Sequence, residues 1–471
     1  MKKFTKILLI GCLLVMVSCN NWLDVDPKSQ VKDKDLFASE MGFKEALSGV
    51  YSLMTKEGLY ELTFGWLGVL GQEWTSVPYN YEDDQKYDFE NAASEVRIDS
   101  VWTGLYNAIA NANKLLKELE GKENLFSGDN YSIIKGEVLA LRAYLHFDLL
   151  RIFGASCAVG MERIAIPYVT EYAPTIFPQE KVGDFVGKVL KDLQDAAKCL
   201  ENDPILTGRT VSEIDDNGYL MNRQVHLNYY AVKGLMARVY LYKGDYANAE
   251  VCAKEVIGSG CFEWVKQENL TNESVADLTF STEHLFALNI VTLGNIVDKY
   301  LDGGNNSFAL EESRLSEYYG SSYDYRYLYL FKTGVGMSNT LRYLKKYDQL
   351  ESVSWAQSYR NKLPLICLPE MYYILAECRY HSSGDVLEPL NEVCRHRGVA
   401  DLSEADLSAF ETLLLAEYRK EVIGGGQLFF QYKRLNRSVV PGTDVDLAGE
   451  GRYVIPMPKE ELENPGWVSN Q

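Results

Sequence analysis

Several familiar catalytic signatures are missing from this chain. It contains no GxSxG, HExxH, GxxxxGK[ST] or GxGxxG, so it offers no serine-hydrolase elbow, zinc-protease helix, P-loop or dinucleotide turn. Histidine is scarce. The five (His146, His226, His284, His381 and His396) are scattered, without metal-ligand spacing. His146 stands mid-helix among apolar residues and is expected to be a satisfied core histidine. There is no CxxC, and besides Cys12 and Cys19 an odd number of Cys remains, seven in all. That argues against a disulfide framework or a zinc site. Most of the seven lie in apolar helical stretches, where Cys acts as a small hydrophobe. Cys252 and Cys261 are the one close pair, with no further sign of a bridge. No metal and no cofactor is expected.

Positive charge is also short. Lys and Arg number 47 against 66 Asp and Glu, a formal net charge of −19. Nucleic acid is thereby excluded as a partner, because phosphate contacts need clustered Lys and Arg. The same balance argues against lying flat on anionic lipid. A long apolar run is missing too: no segment beyond the first turns of sequence approaches the ~18 residues of a membrane span.

What the N-terminus does have is Lys2, Lys3 and Lys6, then eleven apolar residues from Ile7 to Val17. This run is too short to cross a bilayer and fits the ~7–15 residue apolar region of an export signal. Met16-Val17-Ser18-Cys19 resembles a bacterial lipobox, in which the Cys thiol is acylated. Leu9-Ile10-Gly11-Cys12 is a closer literal match, but too few apolar residues precede it. Residues 1–18 are therefore expected to be a lipoprotein signal peptide. Cys19 is the expected lipid attachment site, and 19–36 a polar tether. Acyl chains on Cys19 would sit in the bilayer, each CH₂ contributing about 0.8 kcal/mol. Removal of residues 1–18 would take the formal charge to −22.

The rest of the chain is rich in helical periodicity and in Tyr, of which there are 32. Ser39 to Lys56 places Phe43, Ala46, Leu47, Val50 and Leu53 on one face. Asp99 or Ser100 is the expected cap of a helix carrying Val101, Leu105, Ile109, Ala112 and Leu116. "GEVLALRAYLHFDLLRIFG" is apolar nearly all round and should be buried, with Gly154 as its stop. From Tyr230 to Gly260 two helical patterns meet at Gly244-Asp245. That is the tetratricopeptide (TPR) arrangement, in which small residues allow close approach and Gly turns the corner. A looser copy runs from Glu370 to Arg397. Such pairs must stack on others to bury their apolar faces. Long irregular stretches lie between, at about 60–98, 155–180, 202–225, 262–340 and 436–471. "YDYRYLYLF", from Tyr323, alternates and predicts a short strand. "GGGQ" at 424–427 has no strand before it and is read as a helix–helix connection.

A sugar ring packs its CH-rich face on an aromatic ring and offers hydroxyls to Asp, Asn and Gln. Rigid aromatics lose little entropy on binding. The loop "GQEWTSVPYNYEDDQKYDFEN" combines both residue types. Trp74, Tyr79, Asn80, Tyr81 and Asp83 are its candidate ligand contacts, with Asp84 beside them. Tyr319 and Tyr323, with Tyr318, form a second candidate cluster. The alternative for both clusters is that these aromatics pack the loops onto the helical scaffold. No catalytic residue is assigned: carboxylates abound, but nothing singles out a glycosidase pair.

Seven stretches together resemble the SusD/RagB family. They are Cys19 followed by "WLDVDP", "LRAYLHFDLLRIFG", the Tyr230–Gly260 unit, Asp324 and Arg326 as a "D.R" element, "LPEMYYILAEC" with "LNEVCRHRG", "EYRKEVIGGGQLFFQYKR" and "PMPKEELENPGW". Within the sixth, Gly425, Leu428 and Gln431 stand where the family has Glu, Arg and Asp. Joint loss of the Arg and the Asp leaves no unpaired charge.

The resemblance implies an all-α fold of about four TPR-like helix pairs in a right-handed superhelix, with a loop-rich part carrying minor strands. Residues 37–265 and 266–471 would form its N- and C-terminal regions, packed as one globular unit. It also implies a non-enzymatic, lipid-anchored outer-membrane protein facing the cell exterior. Such a protein would capture a glycan and deliver it to a SusC-like TonB-dependent transporter, which meets the helical face. Alternatives are peptide cargo in the same assembly, a lipid-anchored glycoside hydrolase, and a periplasm-facing TPR scaffold without a small ligand.

Overall fold

The computed structural model describes residues 34–56, 58–59, 64–207, 218–304, 306–334, 340–349 and 359–470. The expected signal peptide, Cys19 and all but the last residues of the tether lie outside them.

Helix α1, Glu40–Met54, begins where Ser39 accepts a hydrogen bond from the Gly42 N–H at 3.3 Å. Its buried Phe43, Leu47, Val50 and Met54 fall on one face, as the spacing requires. Helix α2, Ala92–Leu119, starts earlier than expected. Asn91 caps it by accepting from the Ser94 N–H at 3.0 Å, and Asp99 and Ser100 lie inside it. Its opening turns bury Arg97 and Ser94, which an apolar pattern does not reveal. Helix α3, Asn130–Phe153, is buried at every position from Gly136 onward and stops at Gly154. His146 within it has both ring nitrogens occupied, by the Arg142 carbonyl and the Val169 N–H, each at 2.9 Å.

Helices α4 (Val182–Cys199), α5 (Tyr229–Lys243), α6 (Tyr246–Ile257), α7 (Leu368–His381) and α8 (Leu387–His396) continue the scaffold. The chain is mostly helical. Among the described residues four neighbouring pairs form, α1 with α2, α3 with α4, α5 with α6 and α7 with α8, and each pair packs on the next. The expected TPR corner is present. Gly244 takes φ +80°, and Asp245 caps α6 by accepting from the Asn248 N–H. A left-handed residue there would strain any side chain with a Cβ.

The pairs approach closely where α3 meets the end of α4. A Cβ added at Gly136 would lie 2.7 Å from Leu200 Cγ and 3.0 Å from Cys199 Cβ. Gly136→Ala is therefore expected to lower stability by about 1–3 kcal/mol through overpacking, read as a lower urea midpoint with an unchanged slope.

The loop-rich part carries two small antiparallel sheets. Strands β1 (His284–Asn289) and β5 (Lys362–Cys367) pair, and β5 runs straight into α7. Strands β2 (Leu310–Glu311), β3 (Phe331–Thr333) and β4 (Leu341–Leu344) are ordered β2-β4-β3. The stretch from Tyr323 is a strand only at its end. Tyr325–Tyr329 is a helical turn, because the Asp324 carboxylate accepts from the Arg326 N–H at 2.9 Å and caps it. Helices α9 (Phe410–Val422) and α10 (Leu428–Arg434) flank the GGGQ connection, as read from the sequence. All seven Cys among the described residues are unpaired.

Three of the sequence motifs converge on one buried ion network. Arg326 donates to Asp324 at 3.0 and 2.7 Å, to Glu417 at 3.2 Å and to Glu421 at 2.9 Å. Arg397, at the end of α8, donates to both oxygens of Glu283 (2.9 and 2.6 Å) and of Glu421 (2.8 and 3.1 Å). The D.R element, the EYRKEV block and the RHRG corner thus bind α9, α8 and the approach to β1 together. Leu428 is buried among apolar neighbours. Gln431 accepts from Arg434, which pairs with Glu377 at 2.6 and 2.7 Å. The two departures from the family pattern therefore leave no buried charge alone.

Candidate ligand-binding surface

The loop from Gly71 to Asn91 is held along its length. The Thr75 and Ser76 N–H groups both donate to the Ala309 carbonyl at 3.0 Å, and the Ala309 N–H donates back to Ser76. The Glu311 N–H donates to Thr75 Oγ1 at 2.7 Å. Gln85 Nε2 donates to the Trp74 carbonyl and Gln72 Nε2 to the Gln85 carbonyl, at 2.9 and 2.8 Å. These bonds fix which side chains face in and which face out.

Trp74 faces in. It is 2% exposed and stacks on Phe308 at 5.6 Å. Tyr81 is fully buried between Phe308, Tyr300 and the Arg97 guanidinium, which lies 3.9 Å from its ring centre. Asp84 is buried as well, pairing with Arg97 and accepting from Trp66 Nε1 at 3.1 Å. In the second cluster Tyr319 is buried against Phe331 and donates to the Lys420 carbonyl at 3.0 Å. Tyr318 lies under the Arg419 guanidinium at 4.4 Å. Trp74, Tyr81 and Tyr319 thus offer no ring face to an incoming ligand, and their expected contact role is corrected. They are the packing that holds the loops on the scaffold.

Tyr79, Asn80, Asp83 and Tyr323 face out. Tyr79 is 78% exposed and Tyr323 76%, while Asn80 and Asp83 are also exposed. The Tyr79 N–H donates to Asn306 Oδ1 at 3.3 Å. Asn306 escaped the sequence reading because only the pairing of Ser76 with Ala309 brings it to this loop.

The same loop continues into a cleft of about 620 Å³. One wall is Lys86–Glu90, a second is the start of α2 with Glu95, Ile98 and Asp99, and a third is Arg452 with Pro456–Glu460. Phe89, Ile98 and Met457 give it an apolar floor. The third wall is positioned by the Ile455 N–H on the Ile152 carbonyl at 3.2 Å and by Trp102 Nε1 on Glu461 Oε1 at 3.1 Å. The closing motif "PMPKEELENPGW" supplies it, and nothing local in that motif signals the first loop. Among the described residues there is no group of three His, Cys, Asp or Glu able to hold a metal ion.

A stack of helix pairs, with inserted loops that carry the exposed Tyr79 and two of the three cleft walls, defines a helical-repeat scaffold. Residues 21–241 match the SusD-like family described as "Starch-binding associating with outer membrane". Over that stretch the chain is similar to the SusD-like family, in line with the resemblance its motifs carry. Two SusD-like proteins of Formosa agariphila are similar. One is 25% identical over 267 residues, covering 56% of this chain and 47% of its own. The other is 24% identical over 153 residues, covering 29% and 28%. The chain thus spans about half or less of the length of the curated relatives it matches.

Among solved structures, a SusD superfamily protein from Bacteroides thetaiotaomicron superposes with a TM-score of 0.74 at 20% identity, over 92% of this chain and all of the other. A SusD-like carbohydrate binding protein from Bacteroides vulgatus does so with a TM-score of 0.65 at 17% identity, over 85% and 84%. The fold is shared across nearly the whole chain.

Proposed function

We propose that this protein is a cell-surface glycan-binding lipoprotein. In this reading Cys19 carries the lipid and holds the body at the outer face of the outer membrane. The body captures an oligo- or polysaccharide without altering it and delivers it to a SusC-like TonB-dependent transporter. One observation carries the reading: Tyr79 stands exposed on a loop tied down on both sides, flanked by Asn80, Asp83 and Asn306, and the same loop runs on to form one wall of a large cleft. A ring held this way binds a sugar face with little ordering cost. The family description supports glycan as cargo, and the apolar leader ahead of Cys19 supports the location.

Tyr79→Ala tests it. The variant should melt with the parent, since the side chain is mostly exposed. It should lose about tenfold in affinity for the bound glycan, the order expected from one aromatic contact of roughly 1–1.5 kcal/mol. Titration calorimetry on a glycan panel reads the change. Glycan affinity untouched by the substitution would remove this loop from the site, and retention of peptides in place of any glycan would change the cargo.

A further inference from the structure

Resting on the glycan reading above, we infer that the cleft admits uncharged saccharides and rejects those bearing sulfate or carboxylate groups. The inference comes from the ion pairs each charged side chain in the cleft already makes. Of the three cations, Lys459 is paired with Glu95. Arg452 is turned to Glu450 at 3.4 Å and to the Tyr87 carbonyl at 3.5 Å. Among the described residues Lys86 alone is a cleft cation without an ion-pair partner. Against it stand Asp88, Glu90, Asp99 and Glu460, none in an ion pair among the described residues. The spare charge in the cleft is therefore negative.

Burial, then Glu460 and Glu95, push the Asp99 carboxyl above its ordinary range, with Lys459 drawing it back in part. The apolar floor of Phe89, Ile98 and Met457 concentrates that field, as low-dielectric walls do. An anionic sugar would add a further like charge, whereas hydroxyls can donate to the free carboxylates. The acidic chain as a whole works in the same direction, by repelling polyanions before they arrive.

Paired probes test this on the full protein: galacto-oligosaccharides against oligogalacturonides, agaro- against carrageenan oligosaccharides, and neutral against glucuronate-bearing xylo-oligosaccharides. Within a pair that binds, the anionic member should be at least about tenfold weaker at low salt, and the gap should narrow as salt screens the cleft. A Glu90→Gln/Asp99→Asn/Glu460→Gln variant should narrow it at low salt as well. The salt series on the unsubstituted protein decides the matter if that variant does not fold. Equal or tighter binding of the anionic member overturns the inference and leaves the glycan reading standing. No binding by any member of either kind overturns the glycan reading, and this inference with it.

Discussion

Arg397→Met is expected to lower the folding free energy by about 3–5 kcal/mol, the cost of leaving buried charges without their partner. Arg397 is completely buried, and its four hydrogen bonds serve two carboxylates on different elements. Removing it strands Glu283, which has the Val265 N–H as its other partner at 2.9 Å. Glu421 keeps Arg326 as its ion-pair partner among the described residues. Burial pushes both carboxyls up. Arg397 and then Arg326 nonetheless hold Glu421 down at about 2, so Glu421 stays ionised at neutral pH. Its guanidinium also lies over Phe280 at 4.8 Å and Trp264 at 5.3 Å, and Met retains part of that packing. The added substitution Glu283→Gln should restore part of the loss, because it removes one of the stranded charges. Urea unfolding of the single and double variants measures both. A loss below about 1 kcal/mol in the single variant would mean that water or a neighbour replaces the guanidinium, contrary to the burial described.

The legibility of this protein follows the range of the forces involved. Helix α1 and helix α3 were readable because their burial repeats every three to four residues or covers every face, and both patterns are local. The corner at Gly244 was readable because a left-handed residue is a local demand. The start of α2 was not, since its first turns bury Arg97 against Tyr81 and Asp84 rather than an apolar stripe. In the Gly71–Asn91 loop the sequence shows that aromatics and short polar residues mix, but not which face inward. That sorting is made by Phe308 and Tyr300, more than two hundred residues away along the chain. The cleft has the same cause, as its third wall arrives from 452–460. The D.R and EYRKEV motifs were legible as strings, while their meeting at Arg326 and Glu421 required the fold.

Glu73→Gln is expected to stabilise the protein at pH 8 by about 2–3 kcal/mol and to change little near pH 4. Glu73 is fully buried, and burial is the main cause that raises its carboxyl to about 7. The Gly424 N–H and the charge of Arg419 pull it back only in part. One oxygen accepts from Gly424 at 2.9 Å, and the other has no hydrogen-bond partner. In the unfolded chain the group titrates near 4.5. The folded state thus binds the extra proton between these values. Its contribution to stability is complete below about 4.5 and is lost as pH rises through about 7. Gln keeps the acceptor for Gly424 and carries no charge at any pH, so it escapes that loss. Glu137 has the opposite sign. Despite burial, His226 and Arg223 hold it at about 2, so its contribution is present above about 4.5 and lost as pH falls toward 2. The parent should therefore weaken on both sides of a maximum near pH 4–5 through these two groups, and Glu73→Gln should flatten only the alkaline limb. Melting temperatures measured across pH 3 to 8 for the two proteins separate the limbs. Parallel curves above pH 5 would show that Glu73 is solvated or paired when ionised, and that its buried cost is not paid by the folded state.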